Sequence, residues 1–307
     1  WFTDPAPYPT QYGLLLSPPV IAAFALAAAA VGVAALIQRA FPEPRAVKVL
    51  ERFAGAGPLT LGLHLGLALV VAAVVGLLFV PSLPVPTDDG FGFAILVVEA
   101  MCGLMFVLGL ATRAAAILLA LLGLVAMVPF SFESILEQVH VLGIATFLFL
   151  VGRGPFSLDR VRGVQPPFKG GEIPAAALTL VRVAMGFGIA YNALTEKLLN
   201  PPLVEAFIAT HPQFNAARAL GVPDAQFGFL AGVIEFVIGA VLVSPYVTRP
   251  VAAIGAVIFT GTLFVLGLPE AWSELLGHLP FFGIFFLLVV APNASSWRVR
   301  RALRPAA

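Results

Sequence analysis

Charge is scarce in this sequence. Of its 307 residues 11% are Asp, Glu, Lys or Arg, against roughly a quarter in an ordinary soluble domain, so a water-exposed globular surface is excluded. Cysteine is nearly absent, and Cys102 alone excludes an internal disulfide, a thiolate metal cluster and a redox pair built from this chain. There is no excess of one sign: seventeen Lys and Arg against sixteen Asp and Glu leave a net charge of +1, which gives no electrostatic case for nucleic acid. The longest polar-leaning stretch, 196–225, is too short for a soluble domain. No Cys-x-x-Cys-His, no zinc spacing and no flavin, haem or iron–sulfur ligand motif occurs, so no metal is expected. What is present is apolar: 60% hydrophobic residues, 26 Phe, 29 Gly and a mean hydropathy of +1.01. This composition reads as an all-α polytopic membrane protein whose immediate partner is lipid.

A window of about twenty apolar residues per crossing gives nine candidate spans, near 19–38, 58–80, 91–111, 114–130, 138–152, 174–195, 226–246, 250–268 and 279–292. The connecting segments divide by charge. Fourteen of the seventeen cations, from Arg39, Arg45, Lys48 and Arg52 to Arg298, Arg300, Arg301 and Arg304, fall on one side, and Lys197 and Arg218 on the other. Short loops rich in Lys and Arg stay cytoplasmic, so the N-terminus is expected outside and the C-terminus inside. A chain that starts at Trp1 rather than Met has had earlier residues cleaved, deleted or left out, and a removed signal peptide, one of these alternatives, would put the N-terminus outside. Most acids, among them Asp88, Asp89, Glu133, Glu137, Glu205, Asp224, Glu270 and Glu274, mark the outer face.

An internal repeat is legible. Phe91-Gly92-Phe93, Glu99, Gly103 and Thr112-Arg113 recur as Phe227-Gly228-Phe229, Glu235, Gly239 and Thr248-Arg249, each 136 residues later. His140 and Gly143-Ile144 are echoed by His278 and Gly283-Ile284, and Leu59-Thr60-Leu61 by Leu178-Thr179-Leu180. The expected architecture is one leading helix followed by two parallel four-helix repeats, with spans over 58–152 and 174–292. In domain terms, 1–57 holds an outer segment, the leading helix and a basic loop. Residues 58–170 hold the first repeat, and 171–307 the second repeat with a basic cytoplasmic tail.

Ionisable groups inside the bilayer cost about 2.5–3.5 kcal/mol each on insertion scales, so each needs a partner or a purpose. His64, Glu99, Arg182 and Glu235 qualify. Counting about 1.5 Å per residue puts Arg182 and Glu235 within roughly 5 Å in depth on neighbouring helices, and an ion pair between them is expected. Glu99 has no such arginine, and a weaker or protonated acid follows. His64 lies near the opposite membrane face from His140 and His278, which argues against a haem held by two of them. At the outer face, His140 with Glu133 and Glu137, His278 with Glu270 and Glu274, and Lys197, Glu205 and His211 of the loop 196–225 make a polar rim. The alternative for that rim is solvated helix ends, where Glu is favoured by the helix dipole. Within the loop, Leu203 to Ile208 reads as a short interfacial or re-entrant helix. Trp272, Tyr191 and Tyr246 suit interfacial anchoring. Glycines such as Gly186 and Gly239 suit close helix packing, and Cys102 suits a small apolar filler.

Arg182, Gly186, Glu196-Lys197, Glu235, Gly239, Thr248-Arg249, Glu270 and His278 together resemble the pattern of DoxX family membrane proteins, and the first repeat keeps Glu99 and Thr112-Arg113 of it. Members are four-helix proteins, and the family is named for a subunit of an archaeal thiosulfate:quinone oxidoreductase. The resemblance implies a multi-pass protein of a bacterial cytoplasmic (inner) membrane, a membrane subunit of a respiratory or redox complex with other membrane or extracytoplasmic subunits as partners. Quinone is the cofactor it implies. On that reading Lys197 and His278 are the candidate catalytic residues, and Arg182, Glu235, Glu99, Lys197, His140 and Trp272 the candidate pocket. A non-catalytic scaffold and a small-solute or proton transporter are the alternatives.

Overall fold

A computed structural model of the chain describes residues 7–41, 43–164, 173–266 and 268–291, without the side chains of 45, 46, 266 and 268–274. Among these it is all-helical, with no strand and a lone bridge between Leu77 and Pro84. The helices are α1 (Pro18–Ala40), α2 (Gly57–Val74), α3 (Gly90–Leu108), α4 (Thr112–Val125), α5 (Phe132–Leu136), α6 (Val139–Val151), α7 (Leu158–Val161), α8 (Ala175–Asn192), α9 (Pro201–Thr210), α10 (Asp224–Val243), α11 (Thr248–Leu266) and α12 (Leu268–Val290). Six described helical stretches are long and apolar enough to cross a membrane: Pro18–Ala40, Val47–Val74, Gly90–Leu108, Ala175–Leu198, Asp224–Val243 and Thr248–Val265. Three further apolar stretches, Thr112–Val125, Val139–Val151 and Leu275–Val290, are shorter. At about 1.5 Å per residue these fall short of a hydrocarbon core of about 30 Å.

Local sequence sets the helix ends. Ser17 precedes two prolines in the first turn of α1, where a missing N–H costs nothing. Asp89 caps α3 by accepting the Gly92 N–H, Ser131 caps α5 and Asn200 caps α9. Gly109, at φ 60°, ends α3 in the left-handed region that glycine enters without a Cβ penalty. Apolar residues point outward as well as inward: Val74, Val128, Val257 and Phe264 are all more than two-thirds exposed. A helix that is apolar all round suits hydrocarbon surroundings.

Packing follows the small residues. On α2 and α3, Gly66 and Gly103 face each other so closely that a Cβ on either would lie 2.7 Å from the other's carbonyl oxygen. On α8 and α10, Gly186 and Gly239 do the same, at 2.7 and 2.5 Å. Gly143 of α6 sits against Val181 and Ala184 of α8, and Gly283 of α12 against Leu61 and His64 of α2. The bundle thus closes reciprocally, the last helix of each half lying on the first helix of the other. Helix α1 packs on α10, with the Phe24 and Phe236 rings 4.9 Å apart, and its Gln38 accepts the Val247 N–H at 2.6 Å. The stretch expected to be an interfacial helix is α9, whose Leu203, Val204, Phe207 and Ile208 are buried.

The charged groups sort to the two ends. Arg249 pairs with Glu43 and with Glu51 at 3.3 Å and donates to the Ala291 carbonyl, while Arg113 donates to the Phe149 carbonyl. Asp159 accepts the Ala111 and Thr112 N–H groups at 2.6 and 2.9 Å, so it caps α4 from a distant segment. This is the basic end. At the acidic end Asp224 is bridged by Arg218 at 2.6 Å, and Glu133 accepts from Thr10 and Tyr12 at 2.6 and 2.7 Å.

Candidate functional site

Arg182 does not form the expected ion pair with Glu235. It is fully buried, and its guanidinium donates to the carbonyls of Leu242 at 2.6 Å, Val243 at 2.8 Å and Ser244. These are the last carbonyls of α10, which have no partner within the helix and carry its negative dipole end. The helix end therefore competes with the carboxylate, about two turns away along α10, and wins by proximity. In the first half the same carbonyl positions, 136 residues earlier, are Phe106 and Val107. They are served by Arg153, at 3.3 and 2.5 Å. Arg153 follows α6 and passes over Gly62, where a Cβ would lie 2.9 Å from its Cγ. Two arginines from unrelated sequence positions thus do one job, and sequence spacing alone could not show it.

Glu235 is instead held by Lys197, which makes an ion pair with both carboxylate oxygens. The pair is mostly buried, with side-chain exposures of 15% and 22%. Lys197 can reach because α8 unwinds into a wide π-turn over Ala193–Leu198, and because Gly232 leaves room: a Cβ there would lie 2.8 Å from the Lys197 Cβ. Glu99, the counterpart of Glu235, is met by the segment at the same place in its own half. The chain after α2 turns back into the protein, and the Phe79 N–H donates to Glu99 Oε1 at 2.7 Å.

The π-turn brings a second carboxylate in. Thr195 donates to Glu137 Oε1 at 3.1 Å, linking the start of α6 to the end of α8, and Glu196 lies close enough to interact with Glu137, Lys197 and Glu235. Burial pushes the Glu137 carboxyl up to about 7, nearby Glu133 adds to the shift and the Thr195 hydroxyl opposes it. One turn on, His140 is 1% exposed. Neither ring nitrogen has a well-formed hydrogen bond among the described residues, although the Glu137 backbone lies close to the ring. The His140 ring lies 4.1 Å from the Phe281 ring, and His278 lies over Phe259 at 4.8 Å and beside Phe281 at 6.4 Å. The two histidines are therefore neighbours across α6 and α12.

The candidate pocket residues do not form one cavity wall. Lys197 and Glu235 are together, and His140 and His278 are together. Arg182 serves the opposite end of α10, and Glu99 on α3 is met by the Phe79 N–H. The Trp272 side chain lies outside the described residues, as do those of Glu270 and Glu274. His64 turns its Nδ1 to the Thr60 carbonyl at 2.7 Å and stands beside Gly283, away from Glu99's hydrogen bond. Thr195, Phe79 and Arg153 are the contributors that sequence reasoning missed. Two of them act through or on backbone groups, which carry no sequence signal. Among the described residues no group of three or more His, Cys, Asp or Glu side chains could hold a metal ion. A quinone headgroup needs a flat apolar neighbour and imidazole or hydroxyl groups for its carbonyls. The buried, under-bonded His140 against Phe281 fits that donor set. No protein-family model, no curated protein and no solved structure matches this chain.

Proposed function

We propose that the chain is a nine-crossing membrane protein, a leading helix plus two parallel four-helix repeats, with its basic end cytoplasmic in a bacterial inner membrane. The repeat reading is supported by equivalent contacts 136 residues apart. Gly103 and Gly239 carry the close helix approaches, and Ala111 and Val247 both have positive φ, 46° and 43°, just before the two Thr-Arg pairs. Functionally we propose a DoxX-like membrane subunit of a quinone-linked redox complex. The carrying observation is His140, buried and short of hydrogen-bond partners, beside His278 and over Phe281. A bound quinone supplies two-electron, two-proton acceptor chemistry. In this reading the chain's own part is to orient the headgroup through His140 and to move protons between His140, His278 and Glu137 at the acidic end. Lys197 is committed to Glu235, so its part is to hold that side chain and the π-turn in place.

The test is solvent extraction of the protein purified from its native membrane. About one quinone per chain is expected, lost in His140→Ala and retained in His211→Ala. Absence of quinone from the native protein, or full retention in His140→Ala, overturns the reading, and a stoichiometric protein partner without quinone points to the scaffold alternative. A transporter is favoured by one specific observation, the matched depth of Glu99 and Glu235. It would show itself as uptake in proteoliposomes.

A further inference from the structure

Glu99 has no part in the quinone site proposed above. It is fully buried, about nine residues or roughly 13 Å below the start of α3. Its Oε1 accepts one hydrogen bond, from Phe79, and its Oε2 has no hydrogen-bond partner among the described residues. Among the described residues no cation faces it from a neighbouring element. On α2, His64 is turned to Thr60 and α12. On α4, Arg113 is at the basic end, donating to Phe149. In the returning segment before α3, Asp88 and Asp89 are at the exposed start of the helix, with Asp89 capping Gly92. On α3 itself the next ionisable group is the buried thiol of Cys102. A carboxylate anion in such a place loses its hydration and gains a single neutral N–H in return, which does not balance.

The contact with Phe79 is made at a conformational cost. Phe79 has φ 64°, a left-handed value that a bulky residue adopts only when its surroundings impose it. The hairpin around it uses the N–H groups of Leu78, Val80, Leu83 and Val85 for its own bonds, and the Phe79 N–H is the one turned onto Glu99. The same hairpin runs back to the acidic end and so joins Glu99 to the surface where Asp88 and Asp89 are exposed. In the second half the equivalent carboxylate is paired with Lys197.

We propose that Glu99 is a proton-binding site in the interior of the first half: a neutral carboxylic acid that exchanges its proton with the acidic end through the 75–89 hairpin, while its counterpart Glu235 is ion-paired with Lys197. The site is independent of the quinone reading, since neither Glu99 nor the Phe79 N–H that meets it belongs to the His140, His278 and Phe281 cluster.

Infrared spectroscopy of the full chain in lipid tests it. A protonated carboxylic acid C=O band is expected in the difference between the native protein and Glu99→Gln, shifted in D2O, and Lys197→Met is expected to add a further such band from Glu235. A spectrum unchanged by Glu99→Gln, or a band that never shifts in D2O, overturns the proposal. Should Glu99→Gln fail to fold, a membrane-soluble carbodiimide on the native protein gives a second reading. The acid proton passes to a carbodiimide nitrogen as the carboxyl oxygen attacks the central carbon, and the O-acylisourea rearranges to a stable N-acylurea. Peptide mass spectrometry should find the adduct on Glu99 several-fold above Glu235, and Lys197→Met should raise the Glu235 adduct. Equal labelling of the two carboxyls in the native protein overturns it.

Discussion

At the residue scale, buried charge in this protein is balanced by whatever polar group is nearest, and backbone groups often win. Arg182 serves three carbonyls at the end of α10, and Arg153 serves the equivalent end of α3. Leaving buried acceptors unsatisfied costs about 1–3 kcal/mol. Arg182→Met is therefore expected to lower stability by about that amount, with Arg153→Met similar, measured as thermal unfolding in detergent. An Arg182→Met protein that melts like the native one would show that the guanidinium is not what holds the helix end. The sequence made Arg182 conspicuous as a charge inside a span, but it pointed to the wrong partner. A carboxylate is visible in a sequence, and an unpaired carbonyl at a helix end becomes visible only when the helix end is located.

At the element scale, the helices are placed by glycine pairs rather than by long ridges of leucine. Gly66 with Gly103 and Gly186 with Gly239 allow backbones to touch, which is the means by which apolar helices associate where hydrophobic burial gives no drive. Gly239→Ala would put a methyl 2.5 Å from the Gly186 carbonyl, and a cost of about 1–3 kcal/mol from overpacking is expected. Gly123→Ala, where nothing lies within 4 Å, is the matched control and is expected to leave the thermal midpoint unchanged or slightly raised. Equal effects of the two changes would mean that close approach does not hold α8 to α10. Here the sequence was informative: the repeated Gly103 and Gly239 stood out at a fixed offset, and helix packing was their natural use.

At the scale of the whole molecule, the two halves are joined at the acidic end through Glu137 and Thr195 and clasped by the N-terminal segment through Glu133, which accepts from Thr10 and Tyr12. Burial raises Glu137 from the usual carboxylate range to about 7, so the folded protein holds a proton that the unfolded chain has released. A raised folded value stabilises fully below the unfolded one, and that contribution is lost as pH rises from about 4.5 through about 7. The thermal midpoint of the native protein relative to Glu137→Gln should accordingly be higher at pH 5 than at pH 8. A pH-independent difference would place the effect elsewhere. The leading helix belongs to this scale too: it lies outside the repeat, and the structure seats it on α10, in the second half.

What the sequence determined by itself was everything that depends on counting. The scarcity of charge excluded a soluble fold, apolar run length marked the helices, and the clustering of cations separated the basic end from the acidic one. The sites at which chemistry could occur were only half legible. Glu99 and Glu235 were singled out as ionisable groups in costly positions and Lys197, His140 and His278 as a polar rim at the outer face, and that signal is local. Which of them meet was decided by the tertiary structure alone. The π-turn that carries Lys197 to Glu235, the hairpin that turns one backbone N–H onto Glu99 and the crossing of α6 with α12 that sets His140 beside His278 all depend on where helices end and how they stack. Those outcomes are set by backbone hydrogen bonding and close packing, which every residue shares and no residue type announces.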